Sequence, residues 1–439
     1  MTTTLPIVMA ALGESLSKKT TQVMEVVEQA KKRAPEPRAA DGTIPISLDE
    51  LFQIQEIADN IERHSTAIVI IPRNFIVSLV SQFDAFMGRL MRAIFLVRPD
   101  LLRESQKNLT FAQLLQFGTI EQAREFILEK EIESLLRESH AEQFAVLEKK
   151  LEMPLRKDLA SWPAFTEVTE RRNLFVHCDG FVSSQYLAVC ESAKSTVDAK
   201  LGQRIGVAPD YFKGAYNIVF EIGVKLGHVL WRKLVPDDRA AADKDLNQIG
   251  YQLLSAAEFD LAKMLLEFAL DTLKKYSSEE IRLFLLINLC IAYDETASGD
   301  KVKLRLASVD WSATSDKFKL AVATLEGREN DVFGLMRKIG TRGEVEAWSY
   351  RRWPLFRKLR ESTEFASVFE GIFGEPLHNP NREAGAAVEN LLKHSEAAKR
   401  NASKGPNSTD GISQEPSGQK ADKVIDLNSA DSTASREEG

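Results

Sequence analysis

The sequence predicts an all-α protein, and three observations carry that prediction. Apolar residues recur at three- and four-residue steps through most of the stretch up to about Val235, the spacing of helices that each bury one face. Polar residues that suit helix starts precede several of these runs, as at Ser47, Thr119 and Asp210. No alternating apolar–polar run is long enough to argue for a sheet.

The elements follow in chain order. One helix is predicted around Lys18 to Lys32. The segment from Arg33 to Gly42 then reads as a linker, because two prolines and a glycine break any helix. At Ser47 and Glu50 the spacing predicts a capping box, in which the serine accepts from the first helical amides and the glutamate reaches back. Phe75, Leu79, Phe83, Phe86, Leu90 and Ile94 give the long helix that follows an apolar face. Thr119 and Gln122 start another helix, carrying Phe126, Ile127 and Leu135. Further helices are predicted over 139–151, 164–177 and 181–193. A last one is capped by Asp210 and runs to about Leu234, where Pro236-Asp237-Asp238 ends it.

Length and composition narrow the class. The 439 residues, 44% of them hydrophobic and 28% charged, hold ample material for more than one core. Collagen-like, mostly disordered and disulfide-scaffold chains are excluded. A net charge of −7, from 57 basic and 64 acidic residues, argues against a strongly basic nucleic-acid coat protein, yet leaves room for a local basic site. Cys178, Cys190 and Cys290 are too few and too scattered for a disulfide framework and suggest a reducing compartment. The apolar stretch from Leu5 to Leu12 has no basic residue before it and is short for a signal core. The run Ala67 to Ile71 is expected to stop at Pro72, far short of the roughly 20 residues a membrane helix needs. The expectation is a soluble cytoplasmic protein with no membrane partner.

A second region begins near Asp243. Gly250, Ala262 and Ala269, with Phe259, Leu265 and Leu266 between them, supply small residues where two helices of a hairpin touch. This resembles one degenerate tetratricopeptide-type repeat, although Leu266 stands where the usual aromatic would be and no proline closes the unit. The later pieces 281–293, 318–339 and 353–373 suggest more helix pairs at irregular spacing. After Phe373 no aromatic residue occurs, and the polar composition predicts disorder beyond a short helix around Arg382 to Lys399.

One segment carries candidate chemistry: Thr169-Glu-Arg-Arg-Asn-Leu-Phe-Val-His-Cys-Asp-Gly180. Arg172, the polar Asn173, three apolar residues and His177 resemble the signature of the HEPN superfamily (higher eukaryotes and prokaryotes nucleotide-binding domain). The resemblance extends to a long upstream helix with Gln82-Phe-Asp-Ala-Phe86 and a following helix with Tyr186, and covers roughly residues 50–235. It implies a metal-independent endoribonuclease with no cofactor, acting on RNA as a homodimer through the HEPN-like region. Its biological setting would be RNA processing, a toxin or anti-phage defence. HEPN domains also serve as binding modules, so the rival reading is a non-catalytic interaction scaffold.

The residue types suit the implied chemistry. Histidine moves protons near neutral pH, and the arginine fork suits a phosphate. Together they meet the needs of RNA cleavage by attack of the ribose 2′-hydroxyl. Five helical positions, however, set Arg172 and His177 about 140° apart around the helix and roughly 7.5 Å along it. Members of the family resolve this by dimerising into a composite cleft. Asn173 fits the family's polar position and Arg171 competes with Arg172 for the phosphate. Asp84, from the first long helix, is a candidate lining residue for bound RNA. The bland alternative is that Arg172 and His177 are an ordinary helix-end pair.

Other candidates are weaker. His64, His140, His228, His378 and His394 show no metal-ligand spacing, so no metal site is expected. Gly-rich phosphate loops are absent from the sequence. The cluster of Trp348, Tyr350, Trp353 and five neighbouring basic residues suits stacked single-stranded RNA, but better suits packing of a helix pair with a solvated outer face. The expected organisation is a helix and linker over 1–45, a HEPN-like domain over 46–238, a helical-repeat region over 243–374 that offers a surface for a protein partner, and a mostly disordered tail over 375–439.

Overall fold

The computed structural model describes residues 4–33, 44, 46–102, 109–157 and 159–378. Among these the fold is all-α, with sixteen α-helices and no strand beyond one isolated bridge, Phe181 to Arg204. The chain divides into two compact units after Ala242.

The first unit holds α1 (Thr4–Arg33), α2 (Leu48–Val97), α3 (Phe111–Leu114), α4 (Ile120–Arg137), α5 (His140–Leu151), α6 (Trp162–His177), α7 (Ser184–Ser192) and α8 (Pro209–Leu234). Its axis is α2, which packs against α1, α4, α6 and α8. The helix starts on the predicted capping box, with Ser47 Oγ accepting from the Glu50 amide and Glu50 accepting from the Ser47 amide. It then runs straight through Pro72 as one 50-residue helix, which corrects the expectation of a stop there. By length and composition α2 could cross a membrane, with a third of that apolar window buried in the unit.

The buried stripe of α2 is Ile76, Leu79, Val80, Phe83, Met87, Met91, Ile94 and Phe95, so Leu79, Phe83 and Ile94 of the predicted face are buried and the rest of the stripe is turned by one residue. Phe75, Phe86 and Leu90 only flank the core. Neighbours on several sides of α2 widen its buried arc. Against it lie Phe144 and Leu147 of α5, Phe165 and Val168 of α6, and Phe212, Ile222 and Leu226 of α8. Each such side chain stabilises the fold by about 1.5–3 kcal/mol on burial.

Other boundaries differ in instructive ways. The first helix begins at Thr4, so the stretch 5–12 is its opening turns, and the linker beyond Arg33 lies outside the described residues. α7 starts only at Ser184, capped by Ser183, because Phe181 and Val182 pair with residues 202–205 instead. Asp210 does not cap α8: Ala208 holds that position and Pro209 opens the helix, leaving Asp210 to favour its positive end by charge.

The division between the units falls within α9 (Arg239–Ser255). The second unit continues with α10 (Phe259–Glu267), α11 (Glu279–Glu295), α12 (Gly299–Ala307), α13 (Asp316–Leu325), α14 (Glu329–Ile339), α15 (Ala347–Arg352) and α16 (Thr363–Phe373). α11 is buried on nearly every side from Leu283 to Tyr293, as the central helix of such a layer must be. Gly250 fits the close approach the hairpin reading asks for, since a Cβ there would stand 2.8 Å from Leu266 Cδ2. A π-turn over Phe268–Thr272 follows α10 and carries Ala269. Residues 375–378 are not part of a free tail: Leu377 is buried, and Arg351 donates to the carbonyls of Pro376 and Leu377. The predicted helix at 382–399 and the rest of the tail lie outside the described residues.

Candidate active site around the end of the sixth helix

α6 carries the whole candidate motif, and its two chemical residues point to different surroundings. Arg172 turns toward α2, where its Nη2 donates to Asp84 Oδ2 at 2.8 Å. Its Nε is buried without a hydrogen-bond partner. His177 is the last residue of the helix, is exposed, and makes no hydrogen bond or ion pair among the described residues. The 140° offset of an ideal helix is therefore expressed as a real separation of environments.

Asp84 sits between two partners. Its other carboxylate oxygen, Oδ1, lies 2.8 Å from His140 Nε2, so a proton on that nitrogen is donated to the carboxylate. His140 opens α5, with its ring packed between Phe83 and Phe165 at centroid distances of 5.7 and 5.6 Å. Sequence reading passed over His140. It lies 56 positions from Asp84, and no local pattern signals a contact that only the packing of α5 on the core creates.

The remaining predicted residues divide. Asn173 donates to Glu170 on its own helix at 3.3 Å, consistent with a solvated helix position. Arg171 faces away from Arg172. Its Nε donates to Glu167 at 2.6 Å, Nη1 to the Gly206 carbonyl at 3.1 Å, and its guanidinium lies 3.9 Å from the Tyr211 ring centre. Glu167 is buried and also accepts from the hydroxyls of Tyr186 and Tyr211, both at 2.7 Å. Burial, with the Glu167 charge second, pushes both phenols well above their usual range. Burial likewise raises the nearby Cys190 thiol to about 11, which makes it a packing residue and not a nucleophile. Arg171 thus belongs to a polar knot that fastens α6 to α7 and α8.

The turn after α6 falls at Asp179-Gly180, where the sequence signals a helix stop, but the arginine that holds it is not signalled there. Asp179 and Gly180 have φ of +47° and +81°. The buried Arg73 of α2 donates through Nη1 to both the carbonyl and the carboxylate of Asp179, at 3.0 and 2.9 Å. The exposed Arg204 reaches the other carboxylate oxygen at 2.6 Å.

Elsewhere, the aromatic and basic cluster of the second unit packs inward for the most part. Arg357 donates to the Leu254 carbonyl, Arg360 to those of Tyr350 and Trp353, and Lys358 pairs with Asp294. Trp348, with Arg352 above its ring, and Lys358 remain exposed. Among the described residues no group of three His, Cys, Asp or Glu side chains could hold a metal ion. No protein family, curated protein or solved structure matches the chain.

Proposed function

We propose that the protein is a metal-independent endoribonuclease of HEPN type, with Arg172 and His177 as its reacting pair. One observation carries this reading. Arg172 is held against α2 by Asp84 with part of its guanidinium unsatisfied, while the same helix ends on an exposed, unbonded imidazole. In this reading the ribose 2′-oxygen attacks the adjacent phosphorus and the bond to the 5′-oxygen breaks. His177 manages the proton, and Arg172 stabilises charge that develops on the phosphorane. The products are a 2′,3′-cyclic phosphate and a 5′-hydroxyl. Asn173 and Asp84 support the site, Asn173 beside the scissile position and Asp84 by holding Arg172.

The separation of the two residues on α6 favours a homodimer in which two motif helices meet and one copy's Arg172 serves the other's His177. Val176 and Phe181, both about half exposed, border His177 and suit such a contact. In the second unit a surface cavity of about 550 Å³, lined by Trp311, Lys319, Arg328, Asp331 and Lys338, suits a protein partner. A conditional role in RNA processing, toxicity or anti-phage defence fits this pairing of a nuclease with a helical module.

The test is cleavage of total RNA with and without EDTA, followed by analysis of the ends. Cyclic phosphate ends, unchanged activity in EDTA, and resistance of RNA with 2′-deoxy at the cleaved site are expected. His177→Ala should lose about a hundred- to ten-thousandfold in rate. Metal-dependent cleavage leaving 3′-hydroxyl ends, or normal cleavage by His177→Ala, overturns the reading and leaves the interaction scaffold in its place. A monomer in sedimentation at micromolar concentration counts against the composite site.

A further inference from the structure

We propose that Arg73 is a positioning residue for His177: by clamping the turn after α6 it fixes where the imidazole stands relative to Arg172. The inference rests on the nuclease reading above and adds a residue that the motif does not contain.

The clamp is built from three segments. Arg73 projects from α2 and is only 7% exposed. Its guanidinium reaches the Asp179 carbonyl and carboxylate and lies 3.5 Å from the Ile205 carbonyl, its carbon 5.4 Å from the Phe175 ring centre. Gly180 leaves the room: a Cβ there would stand 3.0 Å from the Ile205 oxygen and 3.2 Å from Arg73 Cζ. The backbone takes two left-handed residues in succession to present these acceptors, and only the second is a glycine.

As a stability device this arrangement is poor. Arg73 has surrendered its hydration, its Nε has no partner, and the carboxylate it meets has a side chain 66% exposed. What the clamp does supply is placement. Two hydrogen bonds and a longer contact from one planar, rigid fork converge on the turn and the strand-like segment beside it. Eleven residues further along α2, about 16 Å away, Asp84 holds Arg172. One helix therefore grips the motif at positions 172 and 179, and His177 lies between the two grips.

The experiment uses the full chain with Arg73→Met and Arg73→Lys. Cleavage kinetics far below the melting temperature are expected to show kcat lowered about ten- to a hundredfold in Arg73→Met, with KM within about twofold. Arg73→Lys should recover part of that loss, since an ammonium reaches Asp179 but not both segments. Independently of activity, the amides of Cys178, Gly180 and Phe181 should exchange roughly tenfold faster in Arg73→Met while those of α8 are unchanged. A lowered melting temperature with kcat intact, or unaltered exchange in the turn, overturns the proposal. If the wild-type protein cuts no RNA, the nuclease reading fails, and the exchange measurement still decides whether Arg73 fixes the His177 turn.

Discussion

Asp84 of α2 and Arg172 of α6 form a 2.8 Å ion pair across the core of the first unit, and the second oxygen of the same carboxylate meets His140. Both side chains are partly buried, Arg172 22% and Asp84 32% exposed, and the pair orients the arginine as well as neutralising it. Asp84→Ala leaves the guanidinium without its counter-charge, at a cost of about 1–3 kcal/mol in urea unfolding. Asp84→Asn should keep the fold, with a smaller cost, while lowering kcat for RNA more than it raises KM. Equal stability of wild type and Asp84→Ala would show that Arg172 is solvated and unguided.

Arg171 invites use as an inert neighbour of Arg172, and the structure argues against that. Removing it strips the buried Glu167 carboxylate of its cation and frees the Gly206 carbonyl. Arg171→Ala is expected to lose about 3–5 kcal/mol, the usual cost of breaking a buried pair on one side. Any fall in RNA cleavage should follow the unfolded fraction, and should vanish when activity is normalised to folded protein by circular dichroism.

The contrast between adjacent arginines shows where sequence reading ends. Local signals were legible: the Ser47–Glu50 box, the Thr119 cap and the placement of Arg172 and His177 on different sides of one helix all depend on residues within a few positions of one another. Pro72 misled because a missing amide and a ring clash are local costs, and the packing of α2 against four helices outweighs them. The partners of the candidate site were invisible for the opposite reason. Asp84 and His140 are 56 positions apart, and Arg73 and Asp179 are 106 apart. No periodicity connects such residues. Only the packing of α5 on the core and the antiparallel passage of α6 along α2 do so.

Tyr350, which is buried, and Tyr211, which is partly so, should respond oppositely to loss of the hydroxyl. Tyr350 is enclosed by Phe356, Phe365, Phe369 and Phe373, and its hydroxyl has no partner among the described residues. Tyr350→Phe removes an uncompensated polar atom and should raise stability, by about 1 kcal/mol. Tyr211→Phe breaks a bond to a buried carboxylate and should cost about 1–3 kcal/mol. Thermal unfolding of both variants in parallel checks the pair; destabilisation by Tyr350→Phe would mean that its hydroxyl is satisfied.

Acid sensitivity of the first unit should run in part through Glu148 of α5. Burial by itself would raise this carboxyl, but the Arg156 side chain and the Arg156 and Leu155 amides outweigh it and hold the group below its ordinary 4.5. The contacts are close, with the two amides at 2.8 and 2.9 Å and Arg156 Nη2 at 2.5 Å. They fasten the chain after α5 as it turns toward α6. Because the folded carboxyl is the stronger acid, its contribution to stability is fully present above pH 4.5. It is lost as pH falls from there through the lower folded value, where the unfolded chain binds the proton first. Glu148→Gln should therefore be less stable than wild type at pH 7 and should lose less on acidification. Urea midpoints measured from pH 7 down to about pH 3 test this, since that range spans the ordinary carboxylate pKa. Parallel curves for the two proteins would mean that Glu148 titrates alike folded and unfolded, and that another carboxylate governs the acid limb.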